Sequence, residues 1–137
     1  MAGRIGCADT KDLDRPVWTS LTQGLSNIAQ GTSGALRILP DYGQFAASAD
    51  LTPENLAALG RLTASGEIWL LERKPLPPVP GATVVSQGEY LQMILSDPMR
   101  PEEDRSVTML GDADAEEMRR LAELTNPGPF YPRSHQL

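Results

Sequence analysis

Residues 106–137 constrain this chain most, because they read as the opening unit of a fold with little after it to complete one. Val107 to Leu110 is a short apolar run of strand type. Asp114 precedes a helical pattern and Glu117 follows three residues on, the capping-box spacing, so Asp114 is the expected cap and Glu117 the residue that reaches back. Asp112, Asp114, Glu116 and Glu117 also suit the positive end of a helix dipole. Met118, Leu121, Ala122 and Thr125 share one face, with Arg119, Arg120 and Glu123 elsewhere. Asn126-Pro127-Gly128-Pro129 then stops the helix, since neither proline can continue it. A strand and a helix each carry an apolar face that must be buried against another element. The sequence ends where a second strand is expected.

Upstream, the chain alternates short helices and strands. Residues 1–13 are small, polar and aperiodic and are expected to be disordered. Asp14 is expected to cap a helix with Pro16 in its first turn and Trp18, Leu21 and Leu25 facing inward. Gly24 and Gly31-Thr32-Ser33-Gly34 interrupt it, and residues 25–29 fit a strand or a helix tail equally. Residues 35–39 and 44–48 read as two strands around the turn Pro40-Asp41-Tyr42-Gly43. Thr52 caps the next helix, Pro53 takes its first position, and Leu56, Leu59, Leu62 and Thr63 mark its inner side; Ser65-Gly66 ends it. Residues 67–73 make the best strand in the chain, and the continuous run Ile68-Trp69-Leu70-Leu71 predicts that both its faces are covered. Residues 74–81, with four prolines at 75, 77, 78 and 80, form a stiff extended linker. The PxxP spacing there also fits an SH3-type ligand, although a connector is the simpler reading. Residues 83–85 read as a strand; residues 90–95 fit a strand or, through Leu91, Ile94 and Leu95, a helical stripe. Residues 97–105 form a charged loop containing Pro98 and Pro101.

Composition removes several function classes. A formal net charge of −6 and a pI near 4.7 argue against nucleic acid, which wants clustered Lys and Arg, and against an anionic membrane surface. No apolar run approaches the roughly 20 residues of a membrane span. Aromatic content is only 5%, so the core must rest mainly on Leu, Val, Ile, Met and Ala. The single cysteine, Cys7, excludes an intramolecular disulfide and a cysteine-built metal site, and a reducing cytoplasm fits. Six residues without an apolar stretch precede Cys7, which rejects a lipoprotein signal.

Two stretches carry a resemblance. Leu124-Thr125-Asn126-Pro127-Gly128-Pro129-Phe130 followed by Arg133-Ser134-His135-Gln136-Leu137 resembles the join between the first helix and second strand of a GNAT catalytic domain, the acyl-CoA-dependent N-acetyltransferases. More narrowly, the chain resembles a bacterial subgroup with an extra N-terminal half, whose opening helix Asp14-Arg15-Pro16-Val17-Trp18-Thr19-Ser20-Leu21-Thr22 resembles. The resemblance implies an α/β (α+β) fold: a small, mostly antiparallel sheet with short helices, an incomplete GNAT-like fold. It divides the chain into a disordered terminus (1–13), an N-terminal GNAT-associated lobe (14–97), a linker (98–105) and the first strand, helix and loop of a truncated GNAT domain (106–137). It also implies acetyl-CoA as the family's cofactor. The family grips that cofactor with [Q/R]-x-x-G-x-[G/A] between a strand and a helix, where backbone N–H groups hold the pyrophosphate. No Gln or Arg of this sequence begins such a motif; Gln30-Gly31-Thr32-Ser33-Gly34-Ala35 is one residue too long and leads into a strand pattern. The expectation is therefore that this chain alone binds no acetyl-CoA.

Candidate chemistry is sparse. His135 is the only histidine. Its neighbour Ser134 points the other way in an extended tail, no orienting carboxylate lies nearby in sequence, and an exposed tail histidine is the simpler expectation. Glu102, Glu103 and Asp104 read as solvated loop charge, and Glu67 and Glu72 as strand-end surface charge rather than general bases. By resemblance alone, Phe130, Tyr131, Arg133 and His135 would line the acceptor-substrate cleft; packing of Phe130 and solvation of Arg133 are the plainer alternative. Two functions fit. One is the N-terminal portion of an amine acetyltransferase, inactive without a cofactor-binding half, whose partners would be that half or a second copy. The other is a non-catalytic α/β module that pairs an open sheet edge with a partner.

Overall fold

The computed structural model describes residues 11–94 and 107–137. The expectations for Cys7, for the carboxylates at 102–104 and for the 98–105 linker lie outside them.

A three-stranded antiparallel sheet in the order β1 (Ala29–Thr32), β2 (Ala35–Ile38), β3 (Ala46–Ser48) forms the middle layer. The pairing of β2 with β3 around the 40–43 turn agrees with the sequence pattern. Strand alternation decides what lies on either side, because successive side chains point to opposite faces. Leu36, Ile38 and Ala47 face α1 (Pro16–Thr22), where they pack with Val17, Leu21, Ile28 and Tyr42. Ala35 and Ala46 face α2 (Pro53–Arg61), where they meet Ala58 and Leu59. One residue of slip in β2 would exchange the two cores. The architecture is thus helix, sheet, helix.

The helix starts are locally determined. Arg15 precedes Pro16, and the proline ring excludes helical backbone at the preceding residue, so Arg15 rather than Asp14 takes the cap position. Asp14 instead pairs with Arg73 at 2.9 Å. Thr52 caps α2 as expected, accepting from Asn55 N–H at 3.4 Å. Asp50 reinforces that corner by accepting from Thr52 N–H, Thr52 Oγ1 and Asn55 Nδ2.

Several expectations are corrected. Residues 11–13, expected disordered, form a 3-10 turn. Gly31-Thr32 do not interrupt anything; they end β1, and a tight turn through Ser33-Gly34 opens β2. Residues 67–73 are extended but make one parallel bridge, Phe45 with Trp69. Their apolar run is covered on one face only: Ile68 and Leu70 pack under α2, while Trp69 and Leu71 stay 40% and 41% exposed. Continuous hydrophobicity here reflects an apolar outer face, not a second covering layer. Residues 83–85 and 90–94 are not strands and stand exposed, because nothing in the described chain offers them a ladder partner. Residues 107–110 are likewise not a strand.

The Pro-rich segment is more than a connector. Val79 packs against the α2 core, and Pro80 lies over Gly60 so closely that a Cβ there would come within 1.9 Å of the Pro80 carbonyl oxygen. Gly60→Ala gains about 1 kcal/mol of helix propensity and loses more by overpacking against backbone. The expected result is a net loss of about 1–2 kcal/mol, read as a lower melting temperature. An exposed helical glycine would give the reverse sign.

The last helix, α3 (Ala115–Thr125), buries none of its residues, and Leu121 and Leu124 are 60% and 83% exposed. Asp114 is its N-cap residue, as expected, but makes no side-chain cap bond to the first turn; its carboxylate closes the preceding 3-10 turn instead. Gly111 N–H donates to the Asp114 carboxylate at 2.9 Å, and Glu117 takes no part in the cap. Asn126 ends the helix in the left-handed region (φ 47), where a short polar side chain is tolerated, and Pro127 prevents continuation.

Candidate functional site

The loop after α3 does not trail into solvent. Arg133 N–H donates to the Asp41 carbonyl at 2.9 Å, Ser134 Oγ donates to the Tyr42 carbonyl at 3.0 Å, and the Tyr42 hydroxyl donates to Gln136 Oε1 at 3.1 Å. The Tyr131 N–H closes the loop on Ser134 Oγ at 2.8 Å. Residues far apart in sequence are thereby clamped onto the turn between β2 and β3.

The clamp builds a cleft of about 210 Å³ at this end of the sheet. Tyr42, Phe45 and Trp69 form its sheet side, and Pro129, Tyr131 and Leu137 its loop side. Phe45 and Trp69 meet edge to face, with ring centroids 6.1 Å apart and planes at 89°, a favoured aromatic geometry. Trp69 Nε1 donates to Glu67 Oε1 at 2.7 Å, which fixes the indole and brings a carboxylate to its side. Burial pushes the Tyr131 phenol above its usual pKa; the Glu67 charge adds to that shift and Arg37 opposes it. Tyr131 therefore remains a neutral hydroxyl, a donor, at physiological pH.

Of the four residues expected to form the acceptor cleft, only Tyr131 lines it. Phe130 is half-buried beside it. Arg133 stacks its guanidinium 4.8 Å from the Tyr42 ring centroid and donates through Nε to Gln136 at 3.2 Å. His135 is no exposed tail residue: its side chain is 7% exposed. Its Nε2 donates to Asp112 Oδ1 at 3.0 Å, and its Nδ1 is buried without a partner among the described residues. The orienting carboxylate that the local sequence lacks thus comes from the 3-10 turn Asp112–Asp114 that precedes α3. The hydrogen bond from His135, then the one from Gln136, holds the Asp112 carboxyl below its usual pKa. This pair ties the chain's end to α3.

Tyr42, Phe45 and Trp69 are functional candidates that local pattern could not single out. Tyr42 reads as a turn residue, Phe45 as a strand residue and Trp69 as core. Their common signal is scarcity: in a chain that is 5% aromatic, so many rings in one cleft is a concentration visible only in three dimensions. Arg37 belongs to the layer behind. It is 1% exposed and donates to the Leu62 carbonyl at 3.1 Å and the Ile38 carbonyl at 3.3 Å. No carboxylate is ion-paired with it among the described residues, and burial lowers its pKa.

Among the described residues, no group of His, Cys, Asp and Glu could hold a metal ion, and no helix is long and apolar enough to cross a membrane. The nearest motif, Gln30 to Ala35, spans β1 and the turn after it and leads into β2 rather than into a helix.

Comparison with solved structures gives a likeness over most of the chain. The chain is similar to a candidate acetyltransferase from the GNAT family of Novosphingobium aromaticivorans, known from its crystal structure, with 32% identity and a TM-score of 0.72. The match covers 89% of this chain and 54% of that one, so this chain spans about half the length of its relative. Family models and curated proteins yield no match.

Proposed function

On the premise that this chain is GNAT-like in both sequence and fold, we propose that it forms the acceptor side of an amine acetyltransferase and needs a cofactor-binding half for activity. The observation that carries this reading is the clamped terminal loop. It joins residues 129–137 to the sheet and helps enclose a cleft lined by Tyr131, one of the four residues that the resemblance assigns to the acceptor. The coenzyme would supply an activated acyl thioester. This chain's part would be to admit an amine, exclude water from around it with Phe45, Trp69 and Tyr131, and orient it for direct attack. Tyr131 is the residue of the expected set best placed for that role; Arg133 and His135 hold the loop that carries it.

The missing pyrophosphate motif supports dependence on a second half, and a cytoplasmic location goes with this reading. Calorimetric titration of the 137-residue chain with acetyl-CoA tests it. No binding heat is expected from the chain alone, and binding is expected from a longer polypeptide that adds a [Q/R]-x-x-G-x-[G/A] loop. Saturable binding by the chain alone would overturn the proposal.

A second reading has one observation in its favour. The segment at 67–73 is bridged at a single point, with Trp69 and Leu71 open, as on a sheet margin that pairs with a partner strand. Concentration-dependent self-association that Trp69→Lys abolishes would favour it.

A further inference from the structure

We propose that the Tyr42–Phe45–Trp69–Tyr131 cleft is a recognition site for an organic ammonium group. The reading deepens the acceptor-side function, on which it rests for its biological use though not for its test. Four of the lining residues are aromatic, and no Lys or Arg lines the cleft among the described residues. Aromatic faces carry negative quadrupolar potential and attract a cation most strongly where water is excluded. The pair at the mouth is geometrically fixed: Phe45 stands edge-on to Trp69, and the Trp69 indole is held by Glu67. Glu67 and Trp69 sit two residues apart on an extended segment and so project from the same side. That places one carboxylate beside the rings. The same carboxylate is felt at the Tyr131 hydroxyl across the cleft. The Arg133 guanidinium lies on the Tyr42 ring, so a ligand cation would meet Phe45, Trp69 and Tyr131. The volume of about 210 Å³ suits a small amine head, not a nucleotide.

A neutral apolar ligand would gain the same area burial but neither the cation–π attraction nor the carboxylate. Charge discrimination is therefore the signature to seek, and it is independent of coenzyme binding. The probes are choline and its uncharged carbon isostere, dimethylbutanol, titrated separately into the full chain without coenzyme A. The indole N–H resonance of Trp69 is followed by NMR, with Trp18 as the internal control. Choline is expected to shift the Trp69 resonance saturably and the isostere to need about tenfold higher concentration. Glu67→Gln, which keeps an acceptor for the indole, is expected to weaken choline severalfold and leave the isostere unchanged. Phe45→Leu is expected to erase most of the discrimination. Equal binding of both probes, or a Trp69 resonance that choline does not move, overturns the proposal. Because coenzyme A is absent, either result leaves the acetyl-CoA titration above standing on its own.

Discussion

Arg15→Ala is expected to lower the stability of this chain by about 2–3 kcal/mol, the largest loss for any partly exposed side chain in it. Arg15 donates to both oxygens of Glu72, at 2.9 and 3.2 Å, to the Ala49 carbonyl at 2.7 Å and to the Ser48 carbonyl at 2.5 Å. Its guanidinium also lies 5.8 Å from the Trp18 ring centroid. One side chain thus joins the start of α1, the end of β3 and the extended 67–73 segment. The planar fork matches a carboxylate and two carbonyls at once, which a lysine cannot do. Arg15 is 31% and Glu72 14% exposed at the side chain, so solvent screening discounts the Coulomb part; the hydrogen bonds to carbonyls carry most of the effect. Urea denaturation would show a midpoint fall of about 1 M or more, with Arg15→Lys recovering less than half of it. A change within about 0.5 kcal/mol would mean the network is decorative.

Arg37→Ala is expected to cost about 3 kcal/mol, and Arg37→Met clearly less. The residue fills the space opposite Ala46 on the α2 side of the sheet, and its guanidinium satisfies the carbonyl of Leu62 near the end of α2. Alanine removes both volume and donor. Methionine restores most of the volume and no longer buries a charge, although the Leu62 carbonyl loses its donor. Thermal melts of the two variants separate the contributions. If methionine is as damaging as alanine, the donor dominates; if both are neutral, neither the volume nor the donor of Arg37 stabilises the fold.

Much of the fold was legible because its signals are local. Pro16, Thr52-Pro53 and Asn126-Pro127 fix helix ends through backbone restrictions that no tertiary contact overrides. The β2–β3 hairpin announced itself by a turn between two apolar runs. What failed was pairing. Residues 67–73, 83–85 and 107–110 have strand composition, but a strand needs a neighbour, and composition does not name one. The 74–81 segment failed for a related reason: only Gly60, by lacking a side chain, lets Pro80 approach α2. Of the residues named by family likeness, Tyr131 lines the cleft. Its other walls come from Tyr42, Phe45 and Trp69, which chain distance separates and the sheet brings together. His135 was misread as exposed because its partner, Asp112, is 23 positions away.

The most direct test sets α3, whose Leu121 and Leu124 face solvent, against β2, which lies between two cores. Native-state hydrogen exchange on the 137-residue chain compares them directly. The amides of Arg37 and Ile38 in β2 should exchange only through global unfolding. Those of Met118–Leu124 should exchange orders of magnitude faster, and should slow once a cofactor-binding half is joined. Equal, strong protection of α3 and β2 in this chain alone would contradict the account.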